Sequence, residues 1–424
     1  MRVLISGASI AGPVLAYWLA RRGAEVTVVE RAPELRKTGG HAIDLFGPAM
    51  EIAEKMGVLD AVMAHATGTE RILFHRRGAR RPAHIDYHKL SSALSDRHVE
   101  IMRDDLSEIF FSAGRDPVEY LFGDHITGIG KDGDVTFAHH GPRRFDLVIG
   151  ADGLHSGVRQ LVFGPDSGHT EFLGAYLSVV SVPKSLARER EMTGYIDVDR
   201  TAMIYTAEHL DDARVVLLFR PVNDFHYDHR DTASQQRQLH DRFAGMGAEV
   251  DRWLDELGRS PAFYFDAITQ LQLTSWSRGR VTLVGDAGYC PGPAVGGSTS
   301  LAVIGAYVLA GELQRAGGDP AVAYPAYERV MREPVIGARA LAKSMAKGIL
   351  PSSSLGVRAL IGAGRLISVL PEPLTAALAG LNSKGLRLYD SIEVPRYSAA
   401  TAGTLTLSDG VRGSSSTKTT ETGT

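Results

Sequence analysis

The stretch Val3-Leu4-Ile5-Ser6-Gly7-Ala8-Ser9-Ile10-Ala11-Gly12-Pro13 decides the fold. Val3 to Ile5 is a short unbroken apolar run, the pattern of a strand covered on both faces. Gly7 to Gly12 is a glycine-bounded turn. From Pro13 to Arg22 the residues Val14, Leu15, Trp18 and Leu19 recur at helical spacing, and Gly23 punctuates the end. Val26, Val28 and Val29 then form a second apolar strand that closes on Glu30. Strand, glycine turn, helix and strand make a βαβ unit on a parallel sheet. Gly7 permits the tight turn, and Gly12 lets the helix lie close to the strand. The helix start offers free N–H groups and a positive dipole end to a pyrophosphate. Ser9 stands where such turns usually carry a second glycine. A carboxylate at Glu30 can accept both hydroxyls of a ribose. The reading is a nucleotide cradle.

The 424 residues suffice for one large or two medium domains. With 44% apolar and 22% charged residues and a net charge of -3, the chain reads as an ordinary globular protein. No basic tract favours nucleic acid, and Arg76, Arg77, Arg80 and Arg81 read as a solvated turn. Cys290 is the single cysteine, so no internal disulfide forms, which fits a reducing, cytoplasmic setting. There is no signal-peptide pattern. No run reaches the roughly 18 apolar residues of a membrane span.

Leu147-Val148-Ile149 and Val281-Thr282-Leu283-Val284 read as further strands of the first unit. Residues 66–99 and 168–275 carry short β-rich runs such as Ala213 to Phe219, the pattern of a mostly antiparallel sheet. The expected organisation is discontinuous. Residues 1–65, 100–167 and 276–340 form the nucleotide domain, and 66–99 with 168–275 a substrate sheet. Residues 341–400 form a helical cap, and 404–424, rich in Ser, Thr and Gly, a disordered tail.

Two more motifs follow strands. Gly150-Ala151-Asp152-Gly153-Leu154-His155-Ser156-Gly157-Val158-Arg159 places a sharp Asp-Gly turn where open α/β sheets bind ligands. Gly285-Asp286-Ala287-Gly288 precedes Pro291, Pro293, Gly296 and Gly297 and a helix from about Ser298 to Leu313. An aspartate at a strand end can hold a polyol hydroxyl, and the helix start can face a group that becomes anionic.

These three motifs, in this order and at these separations, resemble those of the class A flavoprotein monooxygenases, the para-hydroxybenzoate hydroxylase-like family. Within it the chain resembles the tetracycline-inactivating and antibiotic-tailoring branch, over residues 1 to about 345. The resemblance implies an α/β fold: a Rossmann-like FAD-binding domain, an interleaved antiparallel sheet for substrate, and C-terminal helices. It implies FAD, NAD(P)H and O2, with one oxygen atom passed through a flavin C4a-hydroperoxide to an aromatic or polyketide-like small molecule of secondary metabolism. It places Gly7, Ser9, Ile10, Ala11 and Gly12 at the pyrophosphate, with Glu30 and Arg31 at the adenosine. Gly40 and Asp44 would lie beside the flavin ring, in the stretch Gly39 to Leu45, with Arg103 and Leu106 also contacting flavin. Asp152, Gly153 and Arg159 would serve FAD and NAD(P)H use. Gly285 and Asp286 would hold the ribityl chain, and Pro293, Gly296, Gly297 and Ser298 would face the flavin. The chain departs from the family at Tyr289, usually His, at Ser298, usually Gly, at Ser300, usually Asn, and at Gly305, usually Asp.

No side-chain nucleophile is required, and neither a serine-hydrolase elbow nor a metal-ligand cluster is present. Trp18, Trp253 and Trp276 are too far apart for a flavin-halogenase signature. Two other readings stand beside the hydroxylase: a flavin reductase or dehydrogenase of a lipid-like substrate, and a non-catalytic FAD-binding protein of a biosynthetic complex. The expected assembly is a monomer or homodimer. His75, His84, His88, His98, His226 and His229 lie in polar stretches and read as surface residues. Tyr205, Phe219, Phe225 and Tyr227 read as sheet core, and Cys290 as a buried small apolar residue.

Overall fold

The computed structural model of the chain describes residues 1–35, 39–95, 97–221, 231–293, 297–370 and 387–397. Its first layer is a six-stranded sheet in the order Ser277–Arg278, Val281–Leu283, Leu147–Gly150, Arg2–Ser6, Glu25–Glu30, Val118–Phe122. All neighbours are parallel except the short edge strand Ser277–Arg278. The opening strand lies inside this sheet, and Val3, Leu4 and Ile5 are fully buried, as an unbroken apolar strand requires. Helix Ala11–Ala20 packs on helices Arg103–Gly114 and Ser298–Arg315.

Register then fixes the site. Ser6 pairs with Gly150, and Gly150 with Leu283. The three strands therefore end side by side, and each is followed by one of the three sequence motifs. This is the carboxyl edge at which open parallel sheets bind ligands.

The second layer is a seven-stranded sheet in the order Phe263–Leu271, Thr170–Pro183, Asp212–Phe219, Arg200–Tyr205, Glu191–Asp197, Arg71–Arg76, Ala83–Asp86. Its pairs are antiparallel except Glu191–Asp197 with Arg71–Arg76. Side chains alternate between its faces. Val180, Val215, Leu217, Phe219 and Phe265 pack on Leu239, Phe243, Val250 and Trp253. Leu177, Val179, Val216, Leu218, Tyr205 and Ile268 face the other way, toward Met102 and Ala42. The ribbon of Ala42–Phe46 and His98–Met102 carries those last two residues and lies between the layers.

The helices Thr232–Phe243 and Ala248–Asp255 were not expected in a stretch read as sheet. Their apolar residues Leu239, Phe243, Val250, Trp253 and Leu254 step at helical spacing but are diluted among polar ones. The Asp231 side chain caps the first helix by accepting from the Ser234 amide at 2.9 Å. Two of the expected boundaries fall within single elements: position 340/341 inside the continuous helix Pro320–Ile349, which runs through Pro325 and Pro334, and position 99/100 inside strand His98–Met102. No helix among the described residues is long and apolar enough to cross a membrane. Gly296, Phe225, His226, Tyr227, His229 and the tail 404–424 lie outside the described residues.

Candidate functional site

The first turn is built by contact. Gly7 has φ +106°, and a Cβ there would lie 2.5 Å from the Ala151 carbonyl oxygen. A Cβ on Gly12 would lie 1.9 Å from the Gly7 carbonyl oxygen. Both positions need glycine so that turn, helix and Asp-Gly loop can stack. Helix Ala11–Ala20 starts without a side-chain cap, so its first amides remain available to an anion. The Glu30 carboxylate accepts from the amides of Ala8 and Ala32, each at 2.9 Å, which orient it toward the turn. Arg31 is exposed, with Nη2 3.9 Å from where a Cβ on Gly157 would sit, beside Asp152.

Ser9 replaces a glycine with a bracket. Its Oγ accepts from Arg103 Nη2 at 3.1 Å, and its carbonyl accepts from Ser107 Oγ at 3.0 Å. Leu106, one turn from Arg103 and fully buried, seats helix Arg103–Gly114 in the core so that Arg103 reaches the turn. Arg103 also lies in electrostatic range of His41, Asp104, Asp286 and Tyr264.

In the second loop, Asp152 accepts from Ser156 Oγ at 2.5 Å and the Val158 amide at 3.2 Å. Burial still pushes its pKa up against those donors. Gly153, at φ +79°, makes the sharp turn. Arg159, expected among the cofactor contacts, is turned inward with no exposed surface. Its Nε donates to Asp166 at 2.9 Å, Nη1 to the Ala287 carbonyl at 2.9 Å, and Nη2 to the Leu154 carbonyl. It ties the second loop to the third; a buried guanidinium must find such acceptors.

The third loop turns at Gly285, φ +65°, where a Cβ would lie 3.2 Å from Ala302 Cβ and 3.3 Å from Ala11 Cβ. Two helices converge there. Asp286 follows, half-buried, and burial raises its pKa against the pull of Arg103 and the Cys290 thiol. That thiol is its one hydrogen-bonding side-chain neighbour among the described residues, so the carboxylate can still accept a hydroxyl. Cys290 is buried and its pKa is pushed well up by burial and by Asp286, so it is an unreactive thiol.

The loop at Gly40 is held from three sides. Its amide donates to Asp104 Oδ2 at 2.7 Å, its carbonyl accepts from Arg214 Nε at 2.9 Å, and the Ala42 amide donates to Tyr205 Oη at 2.7 Å. Burial, then Arg103, lowers the pKa of His41 to about 4. Asp44 pairs with His98 at 2.7 Å. His98 is therefore not a free surface residue, as its polar neighbours had implied. Burial works against its charge, but Asp44, Glu100 and Asp390 hold its pKa up. Pro293 and Ser298 are partly exposed, and Gly297, at φ +84°, starts helix Ser298–Arg315 without a side-chain cap. The Tyr389 ring packs over Gly297, where a Cβ would lie 1.9 Å from Cζ, and stacks on Phe46 at 4.9 Å. No sequence motif announced Tyr389.

Three of the four departures are accommodated by their neighbours. The Ser300 hydroxyl accepts from the Phe46 amide at 3.0 Å. Tyr289 is buried 4.6 Å from Trp276, and its hydroxyl lies 3.1 Å from that of Tyr327. A Cβ on Gly305 would sit 1.9 Å from Tyr289 Oη, so the tyrosine occupies space that glycine leaves free. Tyr205 and Phe219, read as sheet core, are both buried in the sheet, Tyr205 on the face toward Met102 and Ala42 and Phe219 on the opposite face.

Three glycine turns thus meet at one sheet edge, with two uncapped helix starts, a positioned carboxylate at Glu30 and a carboxylate at Asp286 able to accept a hydroxyl. These groups fit a pyrophosphate, a ribose and a polyol, the parts of FAD. The chain matches the FAD binding domain family over residues 1–318 and belongs to that family. It is 36% identical over 340 residues to a flavin-dependent monooxygenase of Legionella longbeachae, covering 78% of this chain and 85% of that one. An uncharacterized protein of Mycobacterium tuberculosis, Rv1260, is 42% identical over 329 residues, covering 77% and 88%. The crystal structure of the tetracycline destructase Tet(51) matches with a TM-score of 0.78 and 30% identity, covering 93% of this chain and 99% of that one. The chain is of the FAD-dependent monooxygenase kind, an enzyme that takes FAD as its cofactor.

Proposed function

We propose that the chain uses NAD(P)H and O2 to insert one oxygen atom into an aromatic, polyketide-like small molecule. The observation that supports this reading most is the register of Ser6, Gly150 and Leu283, which ends three strands, each followed by one of the three motifs, side by side, while the apolar face of the other sheet packs toward Met102 and Ala42. Bound FAD supplies electron transfer and O2 activation. The chain's part is to hold, orient and shield. Gly7, Ser9, Ile10, Ala11 and Gly12 take the pyrophosphate, and Glu30 and Arg31 the adenosine side. Asp152 and Gly153 form the wall that Arg159 braces. Gly285 and Asp286 take the ribityl hydroxyls. Gly40, Asp44, Arg103, Pro293, Gly297 and Ser298 frame the ring. The uncapped, positive end of helix Ser298–Arg315 would favour negative charge on a ring held there.

The substrate lies on the face made by Leu177, Val179, Val216, Leu218 and Tyr205, with Met192, Met203 and Tyr264 partly buried beside them. Such a surface favours a flat, apolar molecule and excludes water. The likeness to a tetracycline destructase supports a polycyclic phenol. We infer the same division of labour between layers: the six-stranded sheet for cofactor, the seven-stranded sheet for substrate, and the helix beyond Ile349 over its edge. The enzyme works in the cytoplasm as a monomer or homodimer.

The test is oxidation of NADPH and of NADH by the purified flavoprotein, with tetracycline and simpler polycyclic phenols as probes. At least one probe is expected to accelerate oxidation. Bound flavin that neither nicotinamide reduces, with any probe, contradicts the proposal.

A further inference from the structure

Oxygen insertion by this route consumes one proton: RH + O2 + NAD(P)H + H+ gives ROH + H2O + NAD(P)+. A face that excludes water must still admit that proton. One line of side chains leads in from the surface. His155, in the second loop, has a side chain 69% exposed, and its Nε2 lies 2.7 Å from Asp266 Oδ2. Tyr264 Oη donates to the same Oδ2 at 3.1 Å. Asp266 is itself 7% exposed in its side chain, and its Oδ1 accepts from the Ala267 amide at 2.8 Å. Residues 264 and 266 alternate with Phe265, which points to the far face, so both side chains project toward the flavin layer. Tyr264 packs in the cluster with Met102 and Ala42 and is in electrostatic range of Arg103 and Cys290. Both residues border the cofactor loops.

We propose that His155, Asp266 and Tyr264 form the path by which a proton from solvent reaches the reacting oxygen at the flavin. This rests on the monooxygenase reading above. Asp266 first takes a proton from the His155 imidazolium; the Tyr264 hydroxyl then turns from Asp266 Oδ2 toward the reacting oxygen, its O–H bond breaks there, and the tyrosine oxygen regains a proton from the Asp266 carboxyl, while His155 reloads from water. One proton moves inward, and each group returns to its starting state. His155 suits the outer end because Asp266 holds its pKa up; burial opposes this, Asp166 adds to it and Arg159 opposes it. Asp266 is faced by His155, Tyr264 and Cys290, and Tyr264 by Asp266, Arg103 and Cys290.

The experiment needs no substrate. Reoxidation of reduced, anionic flavin by O2 passes two electrons to O2 and takes up one proton, giving H2O2. Holoenzyme reduced anaerobically with one equivalent of NADPH is mixed with oxygenated, weakly buffered solution containing a pH indicator. Proton uptake and flavin absorbance are followed together. His155→Gln is expected to slow both by roughly tenfold or more, and millimolar imidazole to restore them. Tyr264→Phe is expected to slow both without rescue, because Tyr264 packs between the layers with Met102 and Ala42. NMR titration of the histidine side chains is expected to place His155 above the ordinary 6.5 and to lower it in Asp266→Asn. Parental uptake in flavin-replete His155→Gln overturns the path. Slowing that imidazole does not relieve reduces His155 to a structural clasp and overturns it equally. A parent that binds no flavin sinks the monooxygenase reading itself, and the path with it.

Discussion

Gly305→Ala separates packing from helix propensity, because the two push in opposite directions. Alanine in a helix interior favours the fold by about 0.5–1 kcal/mol over glycine. Here the added Cβ would lie 1.9 Å from Tyr289 Oη, 3.1 Å from its Cζ and 3.5 Å from Met331 Cε. Tyr289 cannot retreat, since Trp276 lies 4.6 Å away and Tyr327 holds its hydroxyl. Overpacking of this kind costs about 1–3 kcal/mol, so set against that gain a net loss of up to about 2.5 kcal/mol is expected. Tyr289→Phe alone removes one hydrogen bond, a loss of about 1 kcal/mol, while Tyr327 keeps the Leu283 carbonyl at 3.1 Å. The double variant loses the clash with the hydroxyl that causes it. It should be more stable than the sum of the singles predicts by about 1–2 kcal/mol. The assay is urea unfolding of the four proteins with FAD in excess, read by both circular dichroism and flavin fluorescence. Stabilisation in Gly305→Ala, or strictly additive singles, would refute the argument that Tyr289 fills the room glycine leaves.

Asp286→Ala should release FAD, weakening it about tenfold or more through loss of a hydroxyl acceptor, as measured by flavin fluorescence on dilution. Gly7→Ala demands both a positive φ and an approach of 2.5 Å to the Ala151 carbonyl, so it should yield colourless or insoluble protein; a normal flavin content would contradict this. Glu30→Ala should loosen FAD and the turn together, since the amides of Ala8 and Ala32 lose their acceptor. His41 gives a pH test. Its folded pKa of about 4 lies below the ordinary 6.5, so between those values the unfolded chain binds more protons and stability rises with pH. Subtracting the stability–pH curve of His41→Gln from that of the parent should leave a positive slope between about pH 4 and 6.5; a flat difference would show that His41 is not shielded.

The parallel sheet was legible because one unbroken apolar strand and a glycine turn are local signals. The three motifs were legible for the same reason, and strand register then brought them to one edge. What stayed hidden was non-local or masked by composition. Arg159 looked like a ligand-facing cation from its motif, yet its partners Asp166 and Ala287 could be found only in three dimensions. His98 sat among polar residues, and its partner Asp44 lies across a strand pair. Tyr389 reaches Gly297 from a segment with no motif. Tyr264 and Asp266 alternate along a strand, a pattern shared by any half-buried sheet. Tyr289 and Gly305 looked like two separate departures, and the structure makes them one.

The central claim is that this chain passes an oxygen atom from O2 to an organic molecule. The direct measurement is mass spectrometry of the product formed from a polycyclic phenol probe that stimulates NAD(P)H oxidation, run under 18O2. The expected product is heavier by one 18O atom, with none incorporated from labelled water. A product unlabelled by 18O2, or NAD(P)H oxidation that ends wholly in hydrogen peroxide with every probe, would contradict it.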